Sequence, residues 1–182
     1  HHEHSFSLIG SEEEFFFHIN EYQWPDVIVL VGWSWIVPAH VTNAVYTVGF
    51  HPSDLPEYAG GSPIQHQVLD GVEETMGTLY KVTSKLDAGP MLGKQELNLS
   101  GNMKTIFINL SDCAVQLVDN FLNKYPSVPM KKQVTKVKVR KRLKPSDSEL
   151  TLEKIKTMSC KKIYDFIRCR EDPYPNVFME DE

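Results

Sequence analysis

Apolar residues along this chain occur in two kinds of pattern, continuous runs and a helical repeat. The stretch PDVIVLVGW is a continuous β-branched run after a proline, which is typical of a strand buried on both faces. VYTVGF has the same character and delivers His51 at its carboxyl end. Further along, apolar side chains recur at helical spacing and predict a long amphipathic helix: Ile106, Leu110, Ala114, Leu117 and Phe121.

The stretches between these runs predict the remaining elements. SEEEFFFHINEYQW begins with Ser11, a favourable helix N-cap, and GSPIQHQVLDG predicts a helix opened by Ser62. WIVPAHVTNA predicts a loop and a short helix, while MGTLYKVTS and KLDAGPMLGKQELNL predict two strands joined by a Gly-Pro turn. This alternation predicts an α/β fold, a Rossmann-like, open and mostly parallel sheet with helices on both faces. Ligands bind beyond the carboxyl ends of strands in such sheets, and His51 lies at one such end.

The last third of the chain has a different pattern. KKQVTKVKVRKRLKPSDSEL places Val134, Val137 and Val139 among lysines and arginines, which predicts an exposed strand or hairpin. LTLEKIKTMSCKKIYDFIRCREDPYP then predicts a helix that its prolines end. We therefore expect a main domain at 1–128 and a short C-terminal hairpin and helix extension at 129–182.

Composition narrows the class of protein. The chain has 182 residues, 41% of them hydrophobic, and a net charge of -5, so it is an ordinary globular protein that is not built as a whole to coat phosphate backbones. The longest apolar run is too short to cross a bilayer, and the scattered cysteines fit a reduced cytoplasmic setting. We expect no metal site. The terminal histidines could chelate a metal, but a frayed end or tag remnant is the simpler interpretation: His1, His2 and His4.

Two residues on stiff loops carry the candidate chemistry, His51 in HPSDLPEYAGG and Asp87 in KLDAGP. An isolated histidine is more often structural than catalytic, and an aspartate there is most simply a turn former. Both follow predicted strands, however, so adjacent strands would bring them to one edge of the sheet. A carboxylate that reaches an imidazole fixes its tautomer and favours its protonated form. We expect the pair to share a cleft open to solvent and to manage proton transfer at an acyl centre.

Three stretches together resemble the signatures of the folate-dependent formyltransferase family: WSWIVP, GFHPSDLPEYAGGSPIQ and SKLDAGPM. That family includes glycinamide ribonucleotide and methionyl-tRNA formyltransferases and enzymes that act on nucleotide-linked amino sugars. Its pattern is Asn-x-His-Pro-Ser-x-Leu-Pro-x-x-x-Gly, followed further along by Leu-Asp-x-Gly. The resemblance runs from about Pro25 to Phe178 and matches His51 and Asp87 to the catalytic histidine and aspartate.

The resemblance implies transfer of a formyl group from 10-formyltetrahydrofolate to a primary amine, with no metal. Protonated His51 would stabilise the oxyanion, and Asp87 would orient His51 and help to carry away the amine proton. Two loops would clasp the pterin, one through Trp33, Ser34 and Trp35 and the other through Val82, Leu86 and Asp87. Either tryptophan could equally be a core residue. The residues expected to contact the acceptor are Ser53, Gly60, Gly61 and Gln65.

The chain departs from the family pattern in two places. Gly49 stands where the family has an asparagine, whose amide the resemblance casts as a donor to the intermediate's oxygen; Asn43, Ser53 and Gln65 are candidate substitutes. Family members also open with a strand and a glycine-containing loop well before PDVIVL, and that loop often helps to hold the substrate phosphate. Only about two dozen residues precede PDVIVL here. We expect either that the native beginning is absent or that the sheet is short by an edge.

Three functions remain open from the sequence. We favour a nucleotide-linked amino sugar as acceptor, with a homodimer by analogy to related enzymes and no membrane partner. Methionyl-tRNA is the alternative: the basic stretch Lys131–Lys144 supports it, although a solvated strand face is the simpler interpretation. The tRNA members append a β-barrel, for which we expect no room before Glu182. The third is a catalytically weakened binding protein with a formyltransferase fold.

Overall fold

The computed structural model describes residues 5–21, 24–133 and 138–180. Four strands and six α-helices are assigned within these ranges, and a 3-10 turn at Pro145–Ser148 lies between the fourth and fifth helices. In chain order the elements are α1 Glu12–Glu21, β1 Val27–Val31, α2 Ala39–Ala44, β2 Tyr46–His51, α3 Pro63–Leu69, β3 Glu74–Lys81, β4 Met91–Asn98, α4 Met103–Leu122, α5 Leu152–Thr157 and α6 Cys160–Arg168. Each predicted strand and helix of the first 128 residues is present.

The strands form one open sheet in the order β1-β2-β3-β4. The α/β, Rossmann-like architecture is confirmed, but the prediction of a mostly parallel sheet is wrong for these strands. Only β1 and β2 are parallel, whereas β2–β3 and β3–β4 are antiparallel. The β3–β4 connection at residues 82–90 carries no helix and is shorter than the dozen or so residues that a parallel crossover needs.

Helices cover both faces of the sheet, as predicted. On one face, Val48 and Leu79 pack in a core with the apolar stripe of α4. On the other face, Ile28 packs against Phe15 of α1 and Val41 of α2. Because side chains alternate along strands, every second position of β2 and β3 points away from the α4 core, and these positions include Gly49, His51, Thr78 and Tyr80.

β1 is the edge strand of the described sheet, and its residues are partly buried or exposed. The prediction that this run is buried on both faces is therefore wrong. Only β2 flanks it among the described strands, so a continuous apolar run does not guarantee a central position.

The C-terminal segment packs onto the main domain. The single helix predicted there is two helices, because Ser159 begins α6 as an N-cap that accepts from the Lys162 N–H at 3.3 Å. No hairpin is formed by the described residues of this segment: Lys131 and Arg140 make bridges to Met91 and Gly60 instead. The predicted strand positions Val134 and Val137, like the three terminal histidines, lie outside the described residues. Cys169 joins the α4 core, and the boundary at residue 128 stays a prediction.

No helix among the described residues is long and apolar enough to span a bilayer.

Candidate active site

The structure brings His51 and Asp87 together. His51 is the last residue of β2, and its Nδ1 lies 3.6 Å from Oδ2 of Asp87. The predicted closeness is confirmed, but the reason differs from the one expected. β3 runs antiparallel to β2, so it does not end at the same edge of the sheet. Asp87 instead reaches His51 because the β3–β4 connection folds back toward the end of β2.

The carboxylate of Asp87 is held through both oxygens. Oδ2 accepts the Gly60 N–H at 2.7 Å, and Oδ1 accepts the Tyr80 hydroxyl at 2.8 Å. The carbonyl of Asp87 accepts from the Gln133 side chain at 2.8 Å. Asp87 also has a φ of 48°, a left-handed conformation that costs a non-glycine residue about 1–3 kcal/mol and persists only where the surroundings enforce it. These contacts supply that enforcement.

The imidazole of His51 faces an oxygen on each side. Its Nε2 lies 2.9 Å from the carbonyl of Tyr58, which can only accept, so Nε2 carries a proton and donates. Nδ1 faces the Asp87 carboxylate. A ring protonated on both nitrogens would satisfy both partners. To donate to the oxygen of a ligand, Nε2 has to leave the Tyr58 carbonyl.

The pair is far less open to solvent than predicted. His51 is 7% exposed and Asp87 is 5% exposed, so the expected open cleft is wrong in extent, although neither residue is completely sealed. The loop 52–61 lies over the pair, and the C-terminal segment pairs with that loop. The Arg140 N–H donates to the Ala59 carbonyl at 2.7 Å, and the Gly61 N–H donates to the Arg140 carbonyl at 2.9 Å.

Gly60 and Gly61 allow a close backbone approach, but the approaching group belongs to the chain itself. A β-carbon on Gly61 would lie 2.5 Å from Cα of Arg142, and one on Gly60 would overlap the carbonyl oxygen of Arg140. Gly60 also has a φ of 100°, which favours glycine. These glycines are thus explained by the C-terminal segment, and their contact with an acceptor stays a prediction.

Ser53 and Gln65, the other two residues predicted to contact the acceptor, are buried and bonded within the chain. The Ser53 hydroxyl donates to the Glu57 carbonyl at 2.6 Å, and the Gln65 amide donates to the Cys169 carbonyl at 3.2 Å. Asn43 lies in α2, which precedes the start of β2, whereas His51 ends that strand. The role of these three residues as substitutes for the family asparagine stays a prediction, as do the substrate contacts of Ser53 and Gln65.

The two segments predicted to clasp a pterin follow β1 and β3, the two neighbours of β2. Trp33 is partly buried, and its ring centroid lies 5.2 Å from that of Phe15 and 4.8 Å from that of Trp35. Trp35 is 44% exposed and Leu86 is 60% exposed. Ser34 is exposed as well, while Val82 is partly buried, with its N–H bonded to the Thr47 carbonyl at 2.9 Å. The Trp33 indole N–H is buried without a hydrogen-bond partner in the described part of the chain.

Sequence reasoning missed Tyr80. Burial first, and then the negative charge of Asp87 and the hydrogen bond to it, raise the pKa of Tyr80 well above its ordinary value. The phenol therefore stays protonated and serves as a donor to Asp87. Gly49 could have indicated it, because a glycine on one strand leaves space that a large side chain on the neighbouring strand can fill. Across the described residues, no group of three or more His, Cys, Asp or Glu side chains could hold a metal ion.

Comparison with known proteins agrees with this geometry. The family model described as formyl transferase matches residues 9–106. The methionyl-tRNA formyltransferase of Campylobacter lari is 28% identical over 158 residues, covering 86% of this chain and 50% of that protein. The solved methionyl-tRNA formyltransferase from Clostridium thermocellum has 30% identity and a TM-score of 0.83, over 95% of this chain and 74% of that one.

A 4-N formyltransferase from Francisella tularensis shares the fold at 19% identity and a TM-score of 0.74, covering 96% of this chain and 72% of that one. The chain spans about half the length of several of the curated relatives it matches. Since the family model covers more than half of the sequence, the chain belongs to the formyl transferase family.

Proposed function

We propose that this chain transfers a formyl group from 10-formyltetrahydrofolate to a primary amine. The observation that carries the proposal is the His51–Asp87 pair, 3.6 Å apart at the end of β2 and held by two further donors on the carboxylate. An imidazole with a fixed carboxylate is a general acid–base unit, which acyl transfer to an amine requires. Family membership supports the same chemistry.

The walls beside β2 fit a folate. Trp35 and Leu86 offer exposed apolar surface, and the buried indole N–H of Trp33 has no partner among the described residues. An acceptor atom of a pterin ring would satisfy that N–H. Trp33, Ser34 and Trp35 on one side, and Val82, Leu86 and Asp87 on the other, would hold the folate, which supplies the formyl group.

His51 and Asp87 would have different roles in the transfer. The Nε2–H of His51 would exchange the Tyr58 carbonyl for the oxygen on which negative charge develops, and this stabilises the transition state. Asp87, whose Oδ2 lies 3.6 Å from Nδ1, would keep the ring oriented. As the amine nitrogen bonds to the formyl carbon, the bond from that carbon to the folate nitrogen would break, and the proton released by the amine would pass through this pair to the departing tetrahydrofolate. Because the pair is nearly buried, the loop 52–61 would have to move to admit the amine.

For the acceptor we favour methionyl-tRNA, which reverses the order that the sequence suggested. The relatives at 28–34% identity are methionyl-tRNA formyltransferases, and the basic segment 138–144 lies beside the loop that covers the pair. A nucleotide-linked amino sugar is the second candidate, since a sugar N-formyltransferase from Shewanella shares the fold. Both acceptors present a primary amine on a phosphate-bearing carrier.

The test is incubation of the chain with 10-formyltetrahydrofolate and, separately, initiator methionyl-tRNA or a panel of nucleotide-linked 3-amino and 4-amino sugars. Mass spectrometry would detect a formylated product. We expect product with one acceptor class and none with His51→Asn, while His40→Asn, an exposed histidine of α2, is the matched control.

Each outcome has a distinct meaning. Product with the tRNA alone supports the favoured acceptor, and product with a sugar alone supports the second. Folate binding without any product supports a binding protein that no longer turns over. Turnover that survives in His51→Asn would remove the mechanism.

A further inference from the structure

Tyr80 and Gly49 are paired directly across β2 and β3. A β-carbon on Gly49 would lie 3.0 Å from three atoms at the outer end of the Tyr80 ring, Cε1, Cζ and the hydroxyl oxygen. That distance is shorter than ordinary van der Waals contact. The phenol therefore occupies the space into which a side chain at position 49 would extend.

The same ring reaches the catalytic pair. The Tyr80 hydroxyl donates to Oδ1 of Asp87 at 2.8 Å, while Oδ2 faces His51. A phenol has one proton to donate, and here it is given to Asp87. Tyr80 can thus act on the reaction only through the position and charge of Asp87. Burial and the Asp87 charge raise the pKa of Tyr80, so the phenol keeps this proton at pH values where an exposed tyrosine begins to lose it.

We propose that Tyr80 is a positioning residue: its ring fills the space beside Gly49, where the family pattern has an asparagine side chain, and its hydroxyl holds Asp87 against His51. Its kinetic consequences rest on the proposed function, whereas its geometric consequences do not. The pair of residues explains why a glycine is tolerated two positions before the histidine: the space is already filled from the neighbouring strand.

A tyrosine that merely fills the core would also hydrogen-bond the nearest acceptor. Its loss would reduce stability but would leave the chemistry of the folded protein unchanged. A positioning residue instead affects turnover without affecting substrate binding. The test must therefore separate kcat from KM and must include a readout on His51 that does not depend on activity.

The first experiment compares Tyr80→Phe with Tyr46→Phe. Tyr46 is a partly buried tyrosine of β2 whose hydroxyl lies 3.8 Å from the Met130 sulfur, and it makes no contact with the pair. We expect Tyr80→Phe to lower kcat about ten- to hundredfold, the range for losing a hydrogen bond to a charged group, with both KM values within twofold. Tyr46→Phe should leave kcat unchanged.

The second readout is the pair of ¹⁵N chemical shifts of the His51 ring, which respond to protonation and hydrogen bonding whether or not the protein turns over. They should move in Tyr80→Phe and stay constant in Tyr46→Phe. Unchanged shifts in Tyr80→Phe would overturn the proposal. If the wild type forms no product but the shifts move as expected, the proposed function fails and the positioning role stands.

A third experiment tests whether the Tyr80 ring of β3 occupies the space beside Gly49 of β2. Gly49→Ala should lower the melting temperature in the wild type, because its methyl group meets the Tyr80 ring. The same substitution should cost little in a Tyr80→Leu background, where the outer ring atoms are gone. Equal losses in both backgrounds would show that the ring does not occupy this space.

Discussion

The two sides of the candidate site are built in opposite ways. On the histidine side, His51 and Asp87 are 7% and 5% exposed, and their polar atoms are engaged by groups of the chain itself. On the side proposed to hold the folate, Trp35 and Leu86 are 44% and 60% exposed. The groups proposed to move protons are preorganised during folding, while the groups proposed to bind a ligand leave apolar surface for that ligand to cover.

The difference originates in the C-terminal segment. Arg140 pairs through its backbone with Ala59 and Gly61, and its guanidinium donates to Asp70 at 2.9 Å and lies 4.5 Å from the centre of the Tyr58 ring. The partly exposed ion pair contributes little, so backbone pairing provides most of the attachment. Residues 32–37 make no comparable pairing with the C-terminal segment among the contacts that the structure describes.

We expect the strongest effect from a substitution on the histidine side, at Asp87. Asp87→Asn should lower kcat about 10²–10⁴-fold, because the amide keeps the shape of the carboxylate but loses the negative charge that faces the His51 ring. Steady-state kinetics below the melting temperature of the variant would measure it. Asp54→Asn, which removes a half-exposed partner of Lys94 in the same loop, is the control and should change kcat less than twofold. Near-normal turnover in Asp87→Asn would mean that the pair is structural.

A second prediction concerns the attachment of the loop. Gly60→Ala should reduce the free energy of unfolding by about 2–4 kcal/mol, since it combines an unfavourable φ of 100° with an overlap on the Arg140 carbonyl. Gly71→Ala is the matched control, because Gly71 has a φ of 83° but nothing lies within 4 Å of the added carbon. We expect it to reduce the free energy of unfolding by about 1 kcal/mol. Urea denaturation would compare them. Equal losses would show that the C-terminal segment does not restrain Gly60.

A third prediction uses alkaline pH. The pKa of Tyr80 is raised from 10.0, chiefly by burial, so the folded protein retains a proton that the unfolded chain releases. Its contribution to stability is therefore complete below about pH 10 and is lost as the pH rises further, by up to 1.4 kcal/mol per pH unit. Tyr80→Phe should make this decline shallower. Residues 32–37, on the side proposed to hold the folate, carry no titratable side chain, so they contribute nothing to this loss of stability.

We expect the weakest effect from a substitution on the side proposed to hold the folate, at Trp35. Trp35→Ala should weaken tetrahydrofolate binding about tenfold, near 1.4 kcal/mol, and should change the melting temperature little because the ring is 44% exposed. Trp24→Ala removes a ring of similar exposure, 41%, that lies beside His40, and should leave binding unchanged. Calorimetric titration would measure both. Equal affinities in wild type and Trp35→Ala would remove Trp35 from the folate wall.

Local patterns predicted the elements well. The Ser11 helix start is real, since its hydroxyl accepts from the Glu14 N–H at 3.1 Å, and the stripe of α4 is buried as its spacing predicted. Strand direction was less predictable, because β2 and β3 look alike whichever way they run. The apolar run of β1 gave no sign that it lies at an edge of the described sheet.

At the site, the sequence predicted that His51 and Asp87 lie close together, and they do. The roles of Ser53, Gly60, Gly61 and Gln65 could not be judged in the same way. Their polar groups or their lack of a side chain serve contacts with residues distant in the chain, such as Arg140 and Cys169. Spacing along the chain carries no information about which distant backbone will approach.

The amino-acid sequence was sufficient for the α/β elements, the formyl transferase family and the histidine–aspartate pair, because periodicity and short motifs are local properties. Tertiary structure alone decided three things: that Asp87 arrives on a connection that folds back, that the basic segment closes the loop over the pair, and that Tyr80 fills the space beside Gly49. All three depend on which strands become neighbours and in which direction they run. That choice is made by packing of the whole chain.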